Sequence, residues 1–528
     1  MYAKRIAAAC VVAATLVGVC STAAQTAGAA DTPATARGAT PAIAAVDPAA
    51  QLRWLDRVTW GASDSSAQQL QREGLAPWLA SQLHPAPAVL PAAAQAQIDA
   101  MTITRTPLEV LAASMQAQRR SADASGNDEQ KREARKAYQQ ELTRLGREAQ
   151  TRFLLRALYS PNQLQEQMVW FWMNHFNVNA RKNNIRATIG DYEETAIRPN
   201  ALGKFRTLLG ATLRHPAMLR YLDNARNAAN RVNENYAREL MELHTLGVDG
   251  GYSQTDVQEL ARVLTGVGID ARPADAPVRQ PRGPRRADYV KVGAFEFNPN
   301  RHDYGAKALL GQPITASGMA EVDEALDRLA RAPATARFIS NKLAVYFVSD
   351  QPPKALVDRM AAAFQRSDGD IAAVLQTMFE SPEFSASLGD KFRDPVHYVM
   401  AGVRLAYDQR VANDLAPALG WLSRMGEPLY GHETPDGYSL KQVAWSSSGQ
   451  MAIRFEIARI IGSRGAVLFR SEADAPLEKP PYPALARADV VSRVEPGLSA
   501  TTRDALAKAT SPQDWNTYLL ASPEFMRR

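Results

Sequence analysis

From Leu52 onward the chain keeps restating one pattern: apolar residues three or four apart, small polar residues before them, Gly or Pro after them. That is the repeat of capped amphipathic helices, and it predicts a mainly α fold, a large multi-helix body. Leu52–Gly61 and Asp64–Gly74 read as two short helices stopped by Gly, leading into Pro77–Leu83. A long charged helix follows from Asp128 to Tyr159, and Ser160-Pro161 is placed to cap the next one. That next helix carries Leu164, Met168, Trp172 and His175 at i, i+4, i+8 and i+11, a buried stripe with a histidine at its end.

The helical period lapses between Val267 and Ile314. Tyr289–Val292 and Ala294–Phe297 alternate as strands do, so a small β-hairpin excursion is expected near 267–314. Phe379-Glu-Ser-Pro-Glu-Phe384 and Leu520-Ala-Ser-Pro-Glu-Phe525 repeat one helix-joining device. Asp474–Ser499 is Pro-rich and reads as a surface loop.

At the N-terminus Lys4-Arg5, an apolar stretch from Ile6 to Val19 and Ala27-Gly-Ala29 form the outline of a secretory signal peptide, residues 1–29. The chain is expected to be exported, periplasmic or secreted. Lipid attachment at Cys20 is disfavoured by Val19, which stands where a small residue is required. Residues 30–50, rich in Ala, Thr and Pro, read as a disordered leader, and 51–528 as a single large helical domain. Cys10 and Cys20 are the two cysteines, both inside the signal, so the mature chain would hold no thiol nucleophile, disulfide or zinc-thiolate site.

Without the signal the formal charge drops from +6 to +4, with 59 basic and 55 acidic residues. Charge so evenly spread does not read as a nucleic-acid binder. The one basic run, Arg279–Arg286, is a Pro/Gly-rich loop. No later apolar stretch approaches membrane-spanning length.

The densest chemistry lies in Asn233–Tyr252. At 3.6 residues per turn, Asn235, Arg238, Glu239 and Glu242 share one helical face, while His244 points away from Glu242 and Gly247 ends the helix. Carboxylates at i and i+3 can bind a hard cation, or hold one another's proton and supply a general acid. The structural reading competes: Glu242 pairs with Arg238, Asn235 with Glu239, and a protonated His244 favours the negative helix end. His175 closes an aromatic helix ahead of Asn177, and Trp170 and Trp172 read as core rather than as a sugar platform. His302, Asp303 and Lys307 lie in the irregular excursion, where loop histidines beside aspartate often belong to sites and Lys307 offers a charge to an anionic ligand. Gly431–Gly437 and Trp445–Ser448 read as turns or as secondary walls of a site.

Several segments together resemble the bacterial domain-of-unknown-function 1800 family. They are Arg57–Gly61, Trp170–Val178, His215–Asn224, Asn233–Tyr252, Val257–Gly266, His302-Asp303 with Gly305 and Lys307, and Ser522–Phe525. The resemblance implies a large, mostly helical, exported bacterial protein, often encoded beside an exported partner of the alkaline-phosphatase-like type. It carries over no catalytic residues. The chain departs after Leu264-Thr-Gly266, where members usually have Trp and Val267 stands here, so no site built on that indole transfers.

Glu239, Glu242, Arg238, His302 and Asp303 form the expected catalytic set, with Asn235 and Lys307 holding a ligand. His175, Glu239, His244 and His302 are of the donor types of a divalent-metal hydrolase. No His-Glu-x-x-His, Glu-x-x-His, Gly-x-Ser-x-Gly, phosphate loop or dinucleotide fingerprint is present. The expectation is a hydrolase-type enzyme; the rival is a non-catalytic envelope or extracellular binding protein whose charges form a buried network.

Overall fold

Asp47 opens the first helix, Pro48–Val58, by accepting the backbone N–H groups of Ala49 and Ala50 at 2.9 Å, with Pro48 in the first turn. Regular structure therefore begins four residues before Leu52. The computed structural model describes residues 47–124, 126–270, 272, 282–469 and 481–528. The expected signal peptide with both cysteines, most of the expected leader, and parts of Arg279–Arg286 and Asp474–Ser499 lie outside those residues.

The described residues are mainly α-helical, with two small antiparallel sheets. None of their helices is long and apolar enough to cross a membrane. Of the two helices expected to stop at Gly, the first, Pro48–Val58, ends at Thr59, short of Gly61, while the second, Asp64–Glu73, does end on Gly74; Leu75–Leu83 follows it, and the long charged helix runs from Asp128 to Tyr159. Gly146 sits inside it because Arg186 crosses there: a Cβ would stand 3.2 Å from that side chain.

Ser160-Pro161 does not cap the following helix. Ser160 ends the preceding one, its hydroxyl accepting from Asn162 N–H at 3.1 Å, and the next helix starts at Gln163. That helix, Gln163–His175, is buried on every side, Gln165 being the exception, so the expected stripe is in fact a central rod. Its polar groups are paired accordingly. Gln163 donates to the carbonyls of Ala157 and Ser160, and Glu166 shares Arg198 with Glu193 in a buried ion cluster. Trp170 and Trp172 are core, the latter donating its indole N–H to Ala201 O at 2.8 Å.

The excursion forms a three-stranded sheet in the order β1 (Val267–Ile269), β3 (Phe295–Phe297), β2 (Val290–Val292), and then a two-stranded one, β4 (Ala308–Leu309) with β5 (Gln312–Pro313). Val292 pairs with Phe295 across a two-residue turn whose Gly293 has φ +56°, the conformation such hairpins need. Val267 is fully buried opposite Phe297, so the position at which the chain departs from the resemblance is a core strand position here. Both Ser-Pro-Glu-Phe copies use one bond, the Ser hydroxyl accepting from the Phe N–H at 3.1 Å. The first opens the helix Pro382–Ala386, whereas the second makes only a turn. The Asp474–Ser499 segment is not all loop: Asp489–Val494 is a short helix burying Val490 and Val491.

Candidate functional site

The helix in the Asn233–Tyr252 run spans Asn235–Glu242 and stops a turn earlier than Gly247. Beyond it the chain makes a wide turn, with Gly247 N–H on Met241 O at 3.2 Å and the Thr245 hydroxyl on Leu240 O at 2.7 Å. Gly247 is at φ +84°, and a Cβ there would stand 2.9 Å from Phe338. The helix Pro333–Phe347 therefore packs directly on this turn and brings Lys342, one turn beyond Phe338, beside it.

Tyr236, Ala237, Leu240 and Met241 are buried, leaving Asn235, Arg238, Glu239 and Glu242 together on the open face. Arg238 bridges Glu234 at 3.2 Å and Glu242 at 3.4 Å and donates to Gln254 at 2.8 Å. Asn235 turns away from Glu239 and donates to Leu222 O at 3.1 Å. The Glu239 carboxylate is left with no hydrogen bond or ion pair among the described residues, although the residue is half-buried. Burial raises its carboxyl above the ordinary value, Glu242 and Asp436 add to the rise, and Arg238 opposes it. Burial and Glu242 likewise push the Tyr252 phenol up to about 12.

Asp436 arrives on the Gly431–Tyr438 loop, which docks on the end of the central helix. Asn174 clasps Tyr438 in both directions, donating to its carbonyl at 2.9 Å and accepting its N–H at 2.6 Å. Asn177 donates to Thr434 O at 2.7 Å, and the Tyr221 hydroxyl to Glu433 O at 2.8 Å. Gly437, at φ +76°, has no room for a side chain, since a Cβ would meet Asn174 O at 2.1 Å. The chain turns at Pro435-Asp436, as the turn reading of this loop expects.

Lys342 has no carboxylate within ion-pair distance among the described residues. Burial lowers its ammonium to about 8, with Asp436 pulling the other way. Behind it lie two buried imidazoles, His175 and His244, with ring centroids 5.9 Å apart. His175 Nε2 lies 3.1 Å from His244 O, while His175 Nδ1 and both His244 nitrogens have no partner among the described residues. Burial, with Lys342 adding to it, holds His244 down to about 3 and His175 well below its ordinary value. His244 is therefore a neutral core histidine, not a protonated helix cap.

The excursion residues are engaged elsewhere. His302 Nδ1 donates to Thr265 O at 2.7 Å and its Nε2 lies 3.3 Å from Glu321. Lys307, expected to hold an anion, is buried and bonded to Glu321 at 2.7 Å. Asp303 pairs with Arg262 at 2.7 Å, and Arg262 also with Glu259 at 2.8 Å. No described hydrogen bond or ion pair joins His302, Asp303 or Lys307 to the Glu239 face. Nor do His175, Glu239, His244 and His302 converge as ligands: no group of three or more His, Asp or Glu among the described residues is placed to hold a metal ion.

Lys342 and Asp436 were not foreseen as site residues. A signal for Lys342 was available, one lysine directly before the apolar run Leu343–Val348. Asp436 was marked only as one residue of the Gly431–Gly437 turn, and it comes near Glu239 and Lys342 through the docking of that loop.

No curated protein and no solved structure matches this chain. A family model described as a protein of unknown function (DUF1800) matches residues 53–527, nearly the whole chain. The Asn235–Glu242 helix, the rod beneath it and the loop docked on that rod all fall within the match, and the chain belongs to the DUF1800 family.

Proposed function

We propose that this chain is an exported enzyme of the hydrolase type, in which side chains on and beside the open face of the Asn235–Glu242 helix pass protons to a leaving group and take them from water. Glu239 carries the reading: a half-buried carboxyl with its affinity for protons raised and no partner, in a protein whose other half-buried acids are mostly paired. Such a carboxyl can protonate a leaving group, and an unpaired lysine lowered to about 8 can take a proton from water. Asp436, within electrostatic reach of both, balances the lysine charge. The metal-assisted version loses support because the donors do not converge.

The rival reading, a non-catalytic envelope or extracellular binding protein, is favoured by the ion pairs of Arg238 and the closed network on Glu321. Export through residues 1–29, and a co-encoded partner of the alkaline-phosphatase-like type, remain part of the proposal. The N-terminal sequence of the protein recovered from the periplasm tests the first.

For the activity, the mature chain is assayed on chromogenic esters, phosphoesters, glycosides and peptides beside Glu239→Gln and Lys342→Met. The proposal expects turnover of one class, reduced about 100-fold or more in both variants. Turnover retained in both removes these roles, and no turnover on any class favours the binding reading.

A further inference from the structure

A second site lies away from the Glu239 face and rests on observations of its own. Between the helices Pro48–Val58, Asp64–Glu73 and Leu75–Leu83 and the end of the long Asp128–Tyr159 helix is a cleft of about 430 Å³. That is within the usual range for small-molecule sites. Its walls are apolar on one side, through Leu55, Trp78, Leu90 and Leu158, and Val89 stands exposed at the rim.

Arg404 closes the inner end. It is 93 % buried, with 7 % of its surface exposed, yet no carboxylate lies within 4 Å of it among the described residues. Its Nε donates to Gly61 O at 2.9 Å and its Nη1 to Leu158 O at 2.6 Å. These bonds fix the guanidinium and leave Nη2, on a residue that lines the cleft, without a described acceptor. The nearest acids act only at longer range and are engaged: Asp408 by Ser65 and Asp56 by Arg393. A buried cation normally has a counter-charge, because desolvation without one is costly. Most of the other polar lining groups are already satisfied within the protein. Gln163 and Gln82 serve backbone groups, and Gln69 holds Glu73. At the rim Arg72 is exposed and adds a second positive charge.

We propose that this cleft binds a small carboxylate with an apolar body, its carboxylate on Arg404 Nη2 and its tail along Leu55, Trp78 and Leu90. One fixed donor nitrogen, rather than a ring of donors, suits a carboxylate better than a phosphate, and the apolar wall has nothing to offer an inorganic anion.

Octanoate, 1-octanol and inorganic phosphate are titrated into the purified chain by calorimetry, with Arg72→Glu and Gln69→Trp as variants. Both positions are on the surface of one helix, and thermal melts report whether each variant is folded. The expected result is saturable octanoate binding, at least tenfold tighter than octanol, undisturbed by phosphate. Arg72→Glu should weaken octanoate about tenfold and leave octanol unchanged, and Gln69→Trp, which fills the cleft, should abolish both. Octanoate that fails to bind the folded chain overturns the proposal, as does octanol binding equally well or Gln69→Trp binding like wild type. The hydrolase assay is unaffected by any of these outcomes, so the two readings fail separately.

Discussion

Glu239 and Glu321 are both helical glutamates, and their surroundings make them opposites. Glu321 is buried between His302 and Lys307, which lower its carboxyl against the opposing effect of burial, whereas Glu239 faces outward and has no partner. Glu321→Ala would leave the buried Lys307 ammonium without its carboxylate, and chemical denaturation should show a loss of about 3–5 kcal/mol. Glu239→Gln should change the same midpoint by no more than about 0.5 kcal/mol. A large loss at Glu239 would mean that the carboxylate is part of the fold. This contrast was not legible in the sequence. Helical spacing correctly put Asn235, Arg238, Glu239 and Glu242 on one face, but the choice of partner depends on Leu222, Gln254 and Asp436, which only the fold brings near.

At the scale of elements, helices were read well where a local stop residue ends them, as at Gly74, and poorly where tertiary packing does. The Asn235–Glu242 helix ends before its Gly because the chain turns to bury His244 and to lay Gly247 against Phe338. Ser160 caps backward, onto the helix it ends. The hairpin was visible in the alternation of Val290, Val292, Phe295 and Phe297, whereas its third strand, three residues starting at Val267, is too short to show a period. The Gly431–Tyr438 loop shows how one residue decides an element's place. Gly437→Ala adds a Cβ at a positive φ against Asn174 O, and should cost about 1–3 kcal/mol or release the loop. Limited proteolysis should then cut between residues 431 and 438 faster than in wild type, and unchanged protection would contradict the docking. If the functional reading holds, the same variant loses activity because Asp436 is displaced.

For the whole molecule, burial of neutral imidazoles sets a dependence on pH. His175 and His244 are held below the ordinary value near 6.5, His244 at about 3, so between those limits the unfolded chain binds protons that the folded chain refuses. Stability is therefore full above about 6.5 and falls as the pH drops toward 3, by up to about 1.4 kcal/mol per pH unit for each histidine. Denaturation midpoints measured from pH 7 to 4 should show that slope, and His244→Phe should make it shallower; an unchanged slope would place His244 in contact with solvent. The helical class of the fold was legible because each helix repeats its own apolar period. The central position of Gln163–His175 was not, since the sequence of a rod buried all round still contains Glu166, Gln167 and Asn174, whose partners lie far along the chain.

The claim on which the functional account stands, that Glu239 is an unpaired carboxyl poised to give up a proton, can be tested without knowing the substrate. Carboxyl-carbon NMR of the glutamate-labelled chain, with Glu239→Gln to assign the resonance, follows its titration directly. The account predicts a midpoint above the ordinary value of 4.5, moving down when Asp436→Asn removes a neighbouring charge. A midpoint at or below 4.5, unmoved by that change, would contradict it and return the face to the rank of solvated surface.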